Sequence, residues 1–333
     1  MQASFYVIEN DKVRCNLCPQ HCLIGNGKYG ICRVRRNIGG TFFAENYGKL
    51  SAIHLDPIEK KPLYHFYPGS QILSIGSVGC NMHCSFCQNC DISQAGVQEF
   101  DSLKDYAVNE LVNKVTSVKN NLGIAFTYNE PTVFFEYMLD VSMETHALGY
   151  KNVMVSNGYI SEEPLQNLLP HIDAFNIDLK AFTDDFYRKQ THSHLEPVKQ
   201  TLLSLQKANK HFEVTNLIIP GLNDSEDEFS MMIDWIVDEL GSQTILHLSR
   251  YFPMYQMTTP ATPDDVLSRC FDIANAKLDY VYLGNADNQS NGHHTECSNC
   301  HYQVIKRGGY HLDASGITKS GECINCGNVV VNC

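Results

Sequence analysis

Three thiols stand close together in the segment GCNMHCSFCQNC, at Cys80, Cys84 and Cys87, spaced three and then two residues apart. Three thiolates from one short loop can hold three corners of a cubane iron–sulfur cluster, and a fourth iron without a protein thiolate is open to another ligand. Zinc sites more often pair two-residue knuckles at a distance, so this spacing argues against zinc. Cys90 follows three residues later and is expected to stay a free thiol, although a closed structural site would use it as a fourth ligand. Phe86, just before Cys87, is placed to pack over the cluster and keep water away.

Two further groups flank this one. Cys15, Cys18, Cys22 and Cys32 form a four-thiol set that both zinc and an auxiliary [4Fe–4S] cluster would satisfy. Cys297, Cys300, Cys323 and Cys326 form two CxxC pairs 22 residues apart, counted between Cys300 and Cys323. That spacing suits a zinc ribbon with one structural zinc better than a rubredoxin-like iron site. Together the groups take twelve of the fourteen cysteines; Cys270, in an amphipathic stretch, and Cys333 read as free thiols. Close-spaced sets in a chain of this length point to metal rather than to a disulfide framework.

The elements that must position these groups are legible as alternation. Short apolar, β-branched runs (ILSIGSV, GIAFTY, NVMVSN, AFNIDLK, FEVTNLII, TILHLS and YVYLG) are separated by longer stretches of helical period. Such alternation signals βα units around a parallel sheet, and strand starts about 30 residues apart fit that unit. In SEDEFSMMIDWIVDELG, Ser225 and Glu228 predict a capping box and Gly241 a C-cap; Ser161 is the expected N-cap of the preceding SEEPLQNLLPH helix. Six or so units predict an α/β fold built as a partial (β/α)6-type TIM barrel, with ligands at the C-terminal ends of the strands. Residues 1–69 read as a Cys-rich N-terminal extension, 70–285 as the barrel and 286–333 as a small zinc-ribbon-like module after the polar tail NADNQSNGHH.

Composition narrows the function classes. The 333 residues carry a formal net charge of −12 with only 25 Lys and Arg, a field that repels phosphate backbones and anionic lipid. Neither nucleic acid nor membrane is an expected partner. No apolar leader opens the chain and no run of about 18 apolar residues occurs, so a cytoplasmic protein is expected.

CNMHCSFC matches the CxxxCxxC signature of the radical-SAM superfamily, and its surroundings resemble the activating enzymes of glycyl-radical enzymes. Across residues 12–285 the strings CNLCPQHC, IEKKPLYHFYPGS, GCNMHCSFCQN, TYNEPTVFFEYM, DAFNIDLKAF, IIPGLND and YVYLGN look like the radical-SAM member of the AmmeMemoRadiSam system, which is similar to pyruvate formate-lyase activase. The resemblance implies a barrel of the radical-SAM kind, a [4Fe–4S] cluster on Cys80, Cys84 and Cys87, and S-adenosylmethionine on the open iron. Glu130, with Asn129 beside it, then looks like the acidic partner of the methionine amine, in a loop where relatives carry Gly-Gly-Glu and this chain carries Tyr128 and Asn129. Ser156 and Asn157 of VSNG are similar to the ribose-contacting segment of activases, and short hydroxyl and amide groups suit a sugar diol. Asp178 and Lys180 alternate on one strand and so share a face, with Lys180 suited to the methionine carboxylate. Asp178 resembles a residue near a cation site whose second acidic position here is Val155. Asn216, His247 and Arg250 are the expected adenine or substrate contacts.

The activity this predicts is reductive cleavage of S-adenosylmethionine to a 5′-deoxyadenosyl radical that takes hydrogen from a substrate. That substrate is a protein, peptide or small molecule. An external one-electron reductant of flavodoxin or ferredoxin type is implied, and the resemblance adds Memo-like and AMMECR-type partner proteins. The competing reading is a non-catalytic iron–sulfur or zinc protein for electron transfer or interaction. Polar residues placed at successive strand ends argue against it, since a carrier has no use for them.

Overall fold

The computed structural model describes residues 1–286, 292–308 and 311–333. All seven runs form strands: β2 (Gln71–Gly76), β3 (Asn121–Phe126), β4 (Lys151–Ser156), β5 (Ala174–Asp178), β6 (His211–Ile218), β7 (Ile245–Arg250) and β8 (Tyr280–Gly284). An earlier strand, β1 (Ala52–Pro57), pairs antiparallel with β2 at the sheet edge; every other neighbouring pair is parallel. The order runs β1 to β8 without reversal. This is a singly wound α/β arrangement, without the switch point of a doubly wound sheet. β8 and β1 do not pair with each other among the described residues, so the ladder is open.

Helices α1 (Val108–Ser117), α2 (Phe135–Ala147), α3 (Glu162–Leu168), α4 (Leu195–Lys207), α5 (Glu226–Trp235) and α6 (Asp264–Asn275) fill the six crossovers. The strands are buried on both faces, as parallel strands under helices must be, which is why they read as apolar runs. Leu73, Phe126, Met154, Phe175, Val214 and Leu246 join residues of the helices in one continuous core. Two capping details differ from expectation. The Ser225 hydroxyl accepts from the Glu228 N–H at 3.3 Å, but the Glu228 carboxylate accepts from the Phe182 N–H at 2.8 Å instead of completing the box. Ser161 occupies the N-cap of α3 by backbone alone, its buried hydroxyl unpaired. Gly241 ends its helix as expected, at φ 96°.

Residues before β1 form two hairpins, Tyr6–Glu9 with Lys12–Cys15 and Arg35–Ile38 with Thr41–Ala44. They lock onto α2 through Arg35, whose guanidinium donates to both oxygens of Glu136 at 2.8 and 2.9 Å in a buried pair. After β8, part of the predicted polar tail, residues 287–291, lies outside the described residues. The strands Thr295–Glu296, Gln303–Gly308 and His311–Asp313 follow and carry the last cysteines against β7 and β8 through Tyr280, Tyr282, Val304 and Val331. No helix among the described residues is long and apolar enough to cross a membrane.

At the N-terminal ends of the strands, Glu213 of β6 gathers four donors. Its buried carboxylate accepts from the Tyr64 and His65 backbones at 2.9 and 2.7 Å and lies 3.1 Å from His211 Nε2 and 2.6 Å from His247 Nε2. Burial would raise its pKa, yet the hydrogen bonds from His211 and His247 hold it well below the usual carboxylate range. The chain's far end seals the same region. His65 Nδ1 lies 2.7 Å from the Val330 carbonyl, and Asn332 bonds the backbone of His65 and Tyr67 and the ring of His211.

Candidate active site

The loop after β2 carries Cys80, Cys84 and Cys87 to the wall of a cavity of about 500 Å³, a volume typical of small-molecule and cofactor sites. Each later strand end adds to the same wall. β3 is followed by Thr127, Tyr128, Asn129 and Glu130; β4 brings Ser156 and Asn157; β5 brings Asp178 and Lys180. Thr215, His247 and Ser249 complete the wall from β6 and β7. Of the nine non-cysteine residues expected here, seven meet on this cavity.

Asn216 and Arg250 do not. Asn216 donates to the Leu179 carbonyl at 2.6 Å and reaches Met232 of α5, on the helix side of the sheet. Arg250 pairs with Asp264 at the start of α6. The reason is strand alternation: on β6 the inward positions are Thr215 and Leu217, and on β7 they are His247 and Ser249, so Asn216 and Arg250 face outward.

The cysteine loop is held from the strand ends. Asn129 accepts from the Ser77 N–H at 2.9 Å and donates to the Gly79 carbonyl at 3.0 Å. The Asn157 amide donates to Asn81 at 2.9 Å and lies 3.6 Å from Cys80 Sγ, while the Met82 N–H points at the same sulfur from 3.4 Å. Phe86 is buried, and its ring is tilted 47° to that of Phe186 with centroids 5.9 Å apart. Burial pushes the Cys84 thiol up to about 12, with Lys180 acting the other way, and raises Cys80 well above its ordinary value with Glu130 adding to the effect. Three thiols of one short loop on the wall of one cavity, with the Met82 N–H and the Asn157 amide directed at Cys80 Sγ, are a donor set that fits an iron–sulfur cluster. Cys90 heads a short helical turn, off the cavity, beside Asp91.

Glu130 is more constrained than its sequence suggests. Oε1 accepts from the Thr132 N–H, the Thr132 hydroxyl and the Ser156 hydroxyl at 3.0, 2.7 and 2.8 Å, and Oε2 accepts from the Asn157 N–H at 2.9 Å. It therefore splices two strand ends, with capacity left on Oε2 for a ligand. Burial raises its pKa, and the bonds from Asn157 and Thr132 oppose the rise. Lys180 donates to Asp178 at 2.7 Å. Burial alone would lower its pKa; Asp178 and Cys84 reverse this and hold it charged.

A second cluster of charge was not foreseen. Lys61 is buried and donates to Asp56 at 2.9 Å; Tyr128 donates to the same Asp56 oxygen at 2.6 Å and lies with its ring 4.7 Å below the Lys61 ammonium. Tyr128 has φ 71°, the left-handed region that glycine enters freely. Tyr128 thus holds a conformation that glycine would enter freely, and its side chain reaches Asp56. Only the doublet Lys60–Lys61 in a stretch leading into the first parallel strand hinted at this group.

The C-terminal thiols form a different kind of site. Cys297, Cys300, Cys323 and Cys326 bring all four sulfurs within 4.8 Å of one another, with pairs at 3.6 and 3.7 Å. Four sulfurs on one tetrahedral zinc at about 2.3 Å would lie about 3.8 Å apart. A single ion fits them.

Comparison with known proteins agrees with this geometry. The radical SAM superfamily model matches residues 74–236. An uncharacterized protein of Methanocaldococcus jannaschii is 42% identical over 98% of this chain and 96% of its own length. The 4-hydroxyphenylacetate decarboxylase activating enzyme of Clostridioides difficile is 24% identical over 40% of this chain, a match that spans 44% of that enzyme. In fold, a radical SAM methyltransferase from Sphaerobacter thermophilus superposes with a TM-score of 0.52 at 14% identity, covering 66% of this chain and 67% of that one. With its three-cysteine loop at the head of a singly wound parallel sheet, the chain belongs to the radical SAM superfamily of enzymes.

Proposed function

We propose that this enzyme holds a [4Fe–4S] cluster on Cys80, Cys84 and Cys87 and binds S-adenosylmethionine in the adjoining cavity. The observation that carries the reading is one continuous cavity joining those thiols to polar groups on five successive strand ends. When bound, the pair supplies reductive cleavage of the sulfonium and a 5′-deoxyadenosyl radical that takes hydrogen from substrate. The protein's part is placement and exclusion. Lys180, kept charged by Asp178, offers a cation for the methionine carboxylate. Glu130 offers its remaining acceptor capacity to the amine while fixing Ser156 and Asn157 for the ribose. Phe86 keeps water from the cysteine loop. His247, set by Glu213, lines the deeper end, where Lys61 and Tyr64 also face the cavity.

The sequential strand order supports a partial barrel over residues 70–285, with a Cys-rich extension at 1–69 and a zinc-ribbon-like module at 286–333. Structural zinc is the proposed occupant of the C-terminal thiols. A flavodoxin- or ferredoxin-type reductant is required, and a cytoplasmic setting suits such chemistry. The strings CNLCPQHC, IEKKPLYHFYPGS, TYNEPTVFFEYM and IIPGLND support membership of the AmmeMemoRadiSam system with Memo-like and AMMECR-type partners. Activation of a glycyl-radical enzyme is the second reading, favoured by the similarity to an activating enzyme.

The test is anaerobic reconstitution with iron and sulfide, reduction in the presence of S-adenosylmethionine, and chromatography for 5′-deoxyadenosine. The parent protein should release it and Cys84→Ala should not. A loaded, reduced parent that releases none would return the chain to electron carriage.

A further inference from the structure

The N-terminal thiols sit in a pocket of their own. Cys15 closes the first hairpin, and its N–H donates to the Cys22 carbonyl at 3.0 Å; Cys18 lies in the turn between them, where the His21 N–H returns to the Cys18 carbonyl at 3.1 Å. Cys32 arrives from the next loop. Leu17, Ile24, Phe42 and Val133 wall the space between the four sulfurs. Cys15, Cys18 and Cys32 are buried and Cys22 is partly exposed. The Ile31 N–H points at Cys22 Sγ from 3.5 Å, and a side chain at Gly30 would meet Cys22 Sγ at 3.7 Å and Cys32 Sγ at 3.8 Å.

Two observations identify the class of occupant. The first is spacing. Among the described residues, the C-terminal four alone bring three or more ligand atoms within 4.8 Å of one another. The N-terminal sulfurs therefore stand wider apart than the set in the same chain that suits a single tetrahedral ion. A cubane distributes its four thiolates over four separate irons and needs that wider frame. The second is Arg35, which lines the pocket and is 1% exposed. Its terminal nitrogens are taken by Glu136 and the Ser4 carbonyl, but its buried Nε–H has no partner. A buried donor without a partner is costly unless an acceptor joins it. Cluster sulfurs are such acceptors, and hydrogen bonds to them set a cluster's potential.

We infer that Cys15, Cys18, Cys22 and Cys32 bind a second four-iron, four-sulfide cluster, with Arg35 Nε–H directed at its sulfur shell. This centre lies against the loop of the first. Gly79, next to Cys80, has φ 89°, and a Cβ there would fall 2.6 Å from the Cys32 carbonyl oxygen. The two cysteine loops thus touch backbone to backbone.

The experiment counts metals in the full chain after anaerobic reconstitution and purification. The assignment of Cys80, Cys84 and Cys87 is a separate claim, and two variants keep the claims apart. Cys80→Ala/Cys84→Ala/Cys87→Ala should keep about half of the parent's iron and sulfide, about four of each per chain, with a reducible cluster signal by electron paramagnetic resonance. Cys15→Ser/Cys18→Ser should also fall to about half. Retention of C-terminal metal in each variant reports that the chain has folded. If the triple variant holds no iron, or the N-terminal set carries a second zinc instead, the inference is overturned. If the triple variant keeps all of the parent's iron, the assignment of the catalytic cysteines fails and the inference stands.

Discussion

Glu130 and Asn157 stand at the ends of neighbouring strands, joined by a hydrogen bond of 2.9 Å from the Asn157 backbone N–H to Glu130 Oε2. The bond makes the shape of the loop after β4 depend on one carboxylate from the loop after β3. Burial raises the Glu130 pKa from its ordinary 4.5, so the fold favours the protonated form. Stability from this group is then full below pH 4.5 and is lost as pH rises through the folded-state value. Glu130→Gln, which stays neutral, should gain on the parent in thermal melts as pH climbs from 4.5 toward neutrality. A gap that does not change with pH would refute the assignment.

Glu213 behaves with the opposite sign. Its pKa is depressed, so its contribution is present above the unfolded value of 4.5 and is lost as pH falls through the folded one. Glu213→Gln removes one partner from a buried charged network and should cost about 3 kcal/mol at neutral pH in urea denaturation. The two proteins should converge in acid.

Tyr128 sets a contact against a backbone cost. Tyr128→Ala loses the bond to Asp56 and keeps a side chain at φ 71°, whereas Tyr128→Gly loses the same bond and sheds the strain. The glycine variant should be the more stable of the two by about 1 kcal/mol. Equal stabilities would mean that the loop relaxes out of the left-handed region.

Lys180 and Arg250 separate cavity from exterior. Lys180→Met should weaken S-adenosylmethionine binding to the reconstituted enzyme by about tenfold or more, a loss of about 1.4 kcal/mol. Arg250→Met, on the outer face beside α6, should leave affinity unchanged. Equilibrium dialysis reads both.

Removing metal from the C-terminal thiols should be felt at the base of the sheet. Cys300→Ser/Cys326→Ser frees the segment that presents the Val330 carbonyl and Asn332, so amide exchange should rise at Tyr67, whose N–H donates to the Asn332 carbonyl, and at Asn332, whose N–H donates to the His65 carbonyl. Exchange confined to residues 295–326 would show that the seal holds without metal.

The sequence made the seven parallel strands legible because each is buried on both faces and so appears as a largely apolar run. The same property hid which side chains face the cavity. With polar residues on both faces of β6 and β7, the sequence did not mark phase; Asn216 and Arg250 were expected at the cavity, and Thr215 and Ser249 stand there instead. Close cysteine spacing survived translation into space because its geometry is local. The Asp56–Lys61–Tyr128 group was not legible because it joins an edge strand, a connecting segment and a loop after β3, 72 residues apart at its widest. Glu228 was misassigned for a related reason: a local capping partner was assumed, and a donor 46 residues away took its place.

The contact between His65 and the Val330 carbonyl spans 265 residues. During synthesis at about 5–20 residues per second, all eight strands of the sheet and two of the three cysteine groups leave the ribosome before residues 330–332 exist. A chain lacking residues 311–333 would leave His65 without the Val330 carbonyl and Tyr67 without the Asn332 carbonyl. The backbone around His65 is therefore closed by a segment 265 residues further along, and its closure is a late event in folding.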